Sequence, residues 1–555
     1  IKNLALEEMP IYVVIAACLS LLVLLLAMDS LVIPVLFLLS VGLAVVYNLG
    51  TNIFFGEVCY ITKSLTAVLQ LGVTMDYSIF LLDAFMSWRD TGLSEEEAIV
   101  KAVEEAINSI FASSLTTVVG FLALVTMKFN IGFDMGLVLA KGIVFSLLSV
   151  VFFMPAMILK FTKWNDRTKH RSFFPDFTKM GKGVFKIRYA VLIGIFLITP
   201  PAYVAQGMNH FLYGNSAVGG AKGTQVYEDD QEITARFGRS NMLLLIYPNN
   251  DMVAERRLSD ELEDLPYVKS VTSMANTLPE GVPEEFLPES ATSLLHKNDT
   301  ARMLIYIRTK GESDIAFQYT DQIRDIMKKY YPEESYVVGE TPSTQDIKVT
   351  ITEDNTRVNV LSLLGVFMVV MFSFHSVLIP LVVMIPIEVA IFLNMAIPYI
   401  QGVDMVYMGY IIVSSIQLGA TVDYSILLTN NYIAKRKLLP KKEACIEAVT
   451  RSCSSIFTSG TIITLAGYIV HFISTTAAIG DLGHLIGRGG LLSVILVLTL
   501  LPALLVLCDR MIIEKDWKEP GRKIREHYGV RRHQFHERAE RIRELGNRWK
   551  NERDV

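Results

Sequence analysis

The chain has 555 residues, 52% of them hydrophobic, and a formal net charge of −5. A mean hydropathy of +0.40 excludes an ordinary soluble enzyme and points to a polytopic membrane protein with a soluble insert. The sequence has no G-x-x-x-x-G-K-[ST] phosphate loop and no Cys/His cluster at zinc spacing, so ATP hydrolysis by that route is excluded and no enzyme activity, cofactor, metal or nucleic-acid partner is expected.

Eleven apolar stretches reach spanning length: 10–28, 31–49, 61–85, 109–127, 134–160, 187–205, 357–374, 377–399, 406–430, 455–474 and 482–507. The intervening segments 161–186 and 434–452 are basic, as is the tail from 508. Counting spans puts all three on one side, which the lysine and arginine bias makes cytoplasmic. The acidic segment 86–108 reads as a loop on that same side, and acidic residues carry little weight for orientation. This gives a first transmembrane block (1–160), a cytoplasmic linker (161–186), a single helix (187–205), an extracytoplasmic domain (206–354), a second block (355–507) and a charged cytoplasmic tail (508–555), helical over 520–555.

The large segment holds 25 acidic against 14 basic residues and no cysteine, so no disulfide framework supports it. Period-two runs at Asn241–Pro248 and Ala301–Thr309 predict strands. Amphipathic runs at Met252–Leu265 and Asp314–Tyr331 predict helices, each followed by a short strand near 268–273 or 335–339. Two β-α-β units of this kind make a ferredoxin-like α+β sandwich.

The membrane blocks repeat. Gln70-Leu-Gly-Val-Thr-Met-Asp76-Tyr77-Ser-Ile returns as Gln417-Leu-Gly-Ala-Thr-Val-Asp423-Tyr424-Ser-Ile, 347 residues later (76 to 423), and the same offset links Asp134 to Asp481, Lys141 to Arg488 and Pro155 to Pro502. Six helices separate equivalent positions, so the halves run in the same direction about a pseudo-twofold axis along the membrane normal. The second block follows a helix and a domain that the first block lacks. The repeat therefore predicts a first helix and a first external domain that are absent from this chain or supplied elsewhere, with residue 1 not the natural start.

A carboxylate at mid-membrane costs about 2.5–3.5 kcal/mol on insertion scales, and a cost carried twice in one motif points to use of the carboxylates for proton or ion handling. Asp76, Tyr77, Asp423 and Tyr424 are the predicted relay, with the two motif helices facing each other and each tyrosine within reach of the opposing aspartate; the bland alternative is an aspartate that only locks packing. Gly72 and Gly419, one turn before each aspartate, admit a close helix neighbour. Asp83 shares the Asp76 face two turns on. Lys141 and Arg488 support the relay by pairing with Asp76 and Asp423, or else snorkel to Asp134 and Asp481. Glu388, facing Val41 in the repeat, is a path residue of one half or a packing residue. His471 and His484 read as hydrogen-bonded structural histidines. Ser113, Ser114, Thr116, Thr117, Ser459, Thr461 and Thr464 form a polar stripe that lines the relay or packs helices.

The paired G-x-x-x-D-Y motifs, the duplicated five-helix block and the β-α-β insert resemble the MMPL family of the resistance–nodulation–division (RND) superfamily. The resemblance implies twelve spans, two external porter domains and proton-driven export of lipids or other amphiphiles across a bacterial plasma membrane. The expected partners are a lipid or amphiphilic small molecule, protons, membrane lipids, and a second copy or partner subunit that completes the cavity. Two alternatives stand beside it: a lipid-sensing receptor or scaffold, and a protein-export helper that pulls on a polypeptide.

Overall fold

The computed structural model describes residues 2–170, 173, 175–214, 223–238, 241–278, 286, 288 and 292–516. The charged helix expected over 520–555 lies outside the described residues. The chain opens with α1 (Lys2–Ala27), α2 (Val32–Gly50), α3 (Tyr60–Arg89), α4 (Glu95–Leu124) and α5 (Asn130–Leu148), the last running through a π turn (Ser149–Phe153) into α6 (Met154–Arg167), and then α7 (Thr178–Gly207). The insert follows as β1 (Phe211–Leu212), α8 (Gln225–Phe237), β2 (Asn241–Pro248), α9 (Met252–Glu263), β3 (Val268–Thr272), α10 (Met274–Thr277), β4 (His296–Lys297), β5 (Thr300–Ile307), α11 (Asp314–Tyr330) and β6 (Tyr336–Gly339). The second block comprises α12 (Glu340–Phe374), α13 (Leu378–Gln401), β7 (Met405–Val406), α14 (Tyr407–Arg436), α15 (Lys441–Ile473), α16 (Ala477–Leu507) and a short α17 (Asp509–Asp516). Among the described residues, eleven helices are long and apolar enough to cross a membrane, with α5 and α6 counted as one.

Several helices outrun their apolar windows. The acidic segment read as a loop over 86–108 is mostly helix: α3 continues to Arg89 and α4 begins at Glu95. The reason is local. Ser94 Oγ accepts from Glu97 N (3.3 Å) and Glu97 returns a bond to Ser94 N (3.3 Å), a capping box that satisfies two donors at the helix start. Glu95, Glu96 and Glu97 also sit favourably at the positive end of the helix dipole. Likewise α12 starts fifteen residues before the boundary drawn at 355 (340 to 355): Pro342 falls in its first turn, where its missing N–H costs no helix bond, and the Thr, Ser, Asp and β-branched residues that follow are held helical by packing rather than by propensity.

In the insert, β2, β3, β5 and β6 form an antiparallel sheet in the order β3-β5-β2-β6, with β4 paired to β5. This is the β-α-β-β-α-β connectivity of a ferredoxin-like sandwich. Leu243, Leu245 and Tyr247 of β2 alternate inward with Met303, Ile305 and Ile307 of β5. They pack under Leu258 and Leu262 of α9 and Ile323 and Met327 of α11. β1 pairs in parallel with β7, which ties the exit of α7 to the entry of α14.

The two membrane blocks share one apolar core. Their contact is reciprocal: α3 packs on α15 and α14 on α4, while α1 packs on α15 and α12 on α4. Each half therefore presses its motif helix against the fourth helix of the other.

Ser94→Ala removes the cap at a typical cost of about 1 kcal/mol, so the amides of 95–98 should exchange about fivefold faster. Hydrogen–deuterium exchange reads this directly, and the amides of α4 near Thr116 should be unchanged.

Candidate functional site

Asp76 and Tyr77 on α3, and Asp423 and Tyr424 on α14, are each no more than 2% exposed. The motif helices bury nearly every side chain from 61 to 79 and from 407 to 426, so both carboxylates sit deep inside the bundle. Asp423 is held by the opposite half: Thr116 Oγ1 donates to its Oδ1 (3.3 Å) and Thr117 Oγ1 to its Oδ2 (3.4 Å). Each hydroxyl has one proton and a second acceptor in reach, Ser113 O at 2.6 Å from Thr116 Oγ1 and Gly419 O at 3.0 Å from Thr117 Oγ1. Asp76 has the mirror-related neighbour, Ser459 of α15. The two carboxyl groups lie within electrostatic reach of each other.

The motif helices do not pack face to face as the sequence suggested. A Cβ on Gly72 would stand 3.3 Å from Ile463 Cα, and one on Gly120 would stand 3.1 Å from Gly419 Cα. The glycines thus admit the hydroxyl-bearing helices α15 and α4 between the two motifs, and the polar stripe is interposed where a direct contact was expected. Ser113 and Thr116 belong to this seam, as do Thr117 and Ser459; Thr464 instead bonds its own helix at Gly460 O. No hydrogen bond joins either tyrosine to either aspartate. Asp76 Oδ1, Tyr77 Oη, Ser113 Oγ, Ser455 Oγ and Ser459 Oγ are buried without a protein hydrogen-bond partner, a concentration of unmet polar atoms that suits transient partners rather than a fixed lock.

A second polar layer is duplicated in full. Gln70 accepts from Asn48 Nδ2 (2.9 Å) and donates to Gly142 O (2.9 Å) and Ser146 Oγ (3.1 Å). Gln417 accepts from Asn394 Nδ2 (3.0 Å) and donates to Gly489 O (3.2 Å) and Ser493 Oγ (3.1 Å). Two glutamines, two asparagines and two serines at matching positions make the same bonds in both halves.

The MMPL family profile matches residues 1–181 and 229–551. The chain belongs to the MMPL family. Three relatives match over shorter stretches: a membrane protein of Methanocaldococcus jannaschii (38% identity over 91 residues, 16% of this chain and 24% of the relative), ActII-3 of Streptomyces coelicolor (31% over 144 residues, 25% and 20%) and YdfJ of Bacillus subtilis (24% over 119 residues, 21% and 16%). Among solved structures the chain is similar in fold to SecDF of Thermus thermophilus, a translocon-associated membrane protein, with a TM-score of 0.62 and 13% identity. That likeness covers 91% of this chain and 62% of SecDF. The chain thus spans less than two thirds of SecDF, and its matches cover less than a quarter of the three relatives.

The cations of this MMPL chain do neither thing proposed for them. Lys141 Nζ donates to Asn48 O (2.9 Å) and Asn52 Oδ1 (2.6 Å), and Arg488 donates to Asn394 Oδ1 (2.7 Å) and Asn394 O (2.8 Å). They bond neither Asp76 and Asp423 nor Asp134 and Asp481. Each instead satisfies the carbonyl of the asparagine that holds the layer glutamine: Asn48 O lies in the last turn of α2, and Asn394 O is left free within α13 because Pro398, four residues on, has no N–H. Asp134 accepts from Cys59 N at the start of α3 (2.9 Å).

Asp83 is exposed and outside the buried cluster; seven residues on, a straight helix face has drifted by about 20°. Glu388 is half-buried on α13, near Tyr410 and apart from the aspartates. The Asn48–Asn394 equivalence shifts the local register by one, so Gly42 rather than Val41 corresponds to Glu388. His471 donates from Nδ1 to Gly480 O (3.0 Å), and its ring stacks on His484 at 4.4 Å. Sequence reasoning gave no role to Gln70, Asn48, Gln417 or Asn394. The signal was present as an amide six residues before each aspartate, but the one-residue shift hid the matching asparagines.

Replacing either layer glutamine by leucine strands an asparagine and a serine. Gln70→Leu and Gln417→Leu should each cost about 1–3 kcal/mol of stability for each buried group left unpaired. Unfolding in detergent should show similar losses for the two, because the networks are copies; a loss in only one would break the equivalence.

Proposed function

We propose that this chain is the membrane core of a proton-driven secondary transporter that exports lipids or other amphiphiles across the plasma membrane. The observation that carries the reading is the pair Asp76 and Asp423: two buried carboxyl groups, Asp423 bonded by hydroxyls of the opposite half, Asp76 with Oδ1 left unpartnered, and neither bonded by any of the described cations. A charged carboxylate without a counter-ion is costly in a bundle core, whereas proton uptake removes the charge. Because Asp423 is held across the interface between halves, a change in its proton alters the bonds that join them. Moving one proton down a potential of 100 mV supplies about 2.3 kcal/mol, and two carboxyls allow one or two protons per cycle.

The basic segments place the domain outside and the tail in the cytoplasm. An amphiphile is the substrate class that the surroundings favour. A cavity of about 470 Å³ opens between α7, α13 and α16, lined by Leu192, Phe196, Tyr203, Ile385, Phe392 and Leu500 among others. Acyl chains gain roughly 0.8 kcal/mol per buried CH₂ in such a lining. A second reading is favoured by the SecDF-like fold over 91% of the chain: the same proton flow would pull on a polypeptide leaving a translocon.

Asp76→Asn and Asp423→Asn keep shape and one acceptor but cannot cycle a proton near neutral pH. Each should abolish gradient-driven transport and proton flux in proteoliposomes while the protein still inserts and folds; full activity in both would sink the relay. Thr116→Val with Thr117→Val should slow flux without abolishing it, since the carboxyls remain. A photoactivatable lipid analogue should crosslink to the α7–α13–α16 cavity and be competed by added lipid. Crosslinking there by an unfolded polypeptide instead would favour the protein-export reading.

A further inference from the structure

The helix α12 is a continuous rod from the α+β domain into the membrane. It follows β6 with no linker, through Gly339 at φ +144°, where a Cβ would stand 2.8 Å from Met242 O. Its first turn is fixed in the domain: Asn241 Nδ2 donates to Thr341 Oγ1 (2.5 Å), which donates to Gly311 O (2.6 Å). About 20 Å further along, at 1.5 Å per residue, the buried Asp354 meets the turn between α4 and α5. Its Oδ2 accepts from Lys128 N (2.9 Å) and Phe129 N (3.1 Å). Glu353 pairs with Lys128 Nζ (2.8 Å), and Arg357 donates to Thr126 O (3.3 Å). The helix α4, which ends in this turn, carries Thr116 and Thr117 on Asp423.

The other half repeats the contact. Glu8 of α1 accepts from Thr475 N (3.2 Å) and Thr475 Oγ1 (2.5 Å), in the turn between α15 and α16, and from the hydroxyl of Tyr12. Lys128 and Thr475 occupy the same repeat position, and Glu8 and Asp354 match with the one-residue shift seen at the asparagines. Each first helix of a block thus grips the fourth-to-fifth turn of the other block with a buried acidic side chain. Only the Asp354 copy is continuous with the α+β domain.

We infer that Asp354 is the coupling joint of this protein, a positioning residue that transmits the state of Asp423 through α4 and the 126–129 turn to α12 and the domain. The purpose rests on the proton-coupled reading, but the mechanical claim does not. An ionised Asp423 accepts from both threonines. A protonated one donates, so one hydroxyl turns its proton to Ser113 O or Gly419 O instead, which changes the bonds that seat α4 on α14. The turn moves with α4, and Asp354, bonded to two successive amides, makes α12 follow. Glu8 steadies the opposite turn and leads to no domain described here.

The test is hydrogen–deuterium exchange on the full chain in nanodiscs, which requires no substrate and no transport. Asp423→Asn fixes the neutral shape. It should change exchange at 126–129 and at 336–350 by about fivefold or more, the lower end of typical coupling between sites. Asp354→Ala should leave the change at 126–129 and erase it at 336–350. Asp354→Asn, whose Oδ1 can accept from both amides, should retain it. If Asp354→Ala does not fold, Asp354→Ser is the second variant, polar but too short to reach the turn. Glu8→Ala should leave the 336–350 response in place. The inference is overturned if that response is absent without the joint mutation, survives Asp354→Ala and Asp354→Ser, or vanishes equally in Glu8→Ala. Proton flux in the same Asp423→Asn protein tests the transport reading separately, so either idea can fail alone.

Discussion

Two carboxyl groups buried in an apolar bundle with no cation beside them set the terms for everything around them. A charge in that position is expensive, and the described cations near enough to relieve it are committed elsewhere. Lys141 and Arg488 hold the carbonyls of Asn48 and Asn394. What meets Asp423 is a pair of threonine hydroxyls, which can donate to a carboxylate or accept from a carboxylic acid by turning about one bond. A guanidinium or ammonium could only donate, and would favour one charge state strongly. Hydroxyl partners tolerate both states, which is the property a proton carrier requires.

The glycines follow from the same constraint. A threonine hydroxyl reaches an aspartate on a neighbouring helix only if the two backbones approach closely. At Gly120 and Gly419 they do, and the Cβ that any other residue would bring at 120 falls 3.1 Å from a backbone atom. The glutamine layers then hold each motif helix to its own half. Gln70 and Gln417 tie α3 and α14 to α5 and α16 through carbonyls and serines that any helix offers. Each motif helix is thus fixed within its half by neutral amide bonds, and α14 is joined to the other half by bonds that change with the charge on Asp423. The division separates what must stay rigid from what must respond.

Much of this was legible in the sequence. Eleven spans, the parallel duplication and the β-α-β-β-α-β insert follow from apolar run length, a repeat offset and period-two strands, because burial in lipid or in a sheet imposes those patterns directly. The Asp-Tyr motifs stood out because their energetic cost is read from residue type alone. Partners were harder. The helix that lies against Gly419 is decided by tertiary packing, so the motif helices were expected to face each other when α4 and α15 stand between. Lys141 and Arg488 were assigned to acids because charge suggests charge. The structure assigns them to backbone carbonyls left free by the end of α2 and, inside α13, by Pro398 four residues after Asn394. Helix ends were misjudged where, as at Ser94 and Glu97, a capping box rather than hydropathy sets the boundary.

The symmetry of the two halves also indicates where specificity resides. Asp, Tyr, Gln, the layer asparagine and the acidic grip on the opposite turn occur twice, so they serve what both halves share, the membrane core and, on the proposed reading, its proton chemistry. Other features occur once. Glu388 has Gly42 at its repeat position, the stacked His471 and His484 belong to the second half alone, and the apolar cavity lies against α7, which enters the α+β domain. A residue conserved between repeats answers to the fold and the cycle; a residue that breaks the repeat is free to answer to a substrate. By that argument the surface of α13 around Glu388, on the same helix as Ile385 and Phe392, is a place where this chain would differ from relatives that share its core. On the transport reading proposed above, changes there should alter which amphiphile is accepted while leaving Asp76, Asp423 and the threonines on Asp423 untouched.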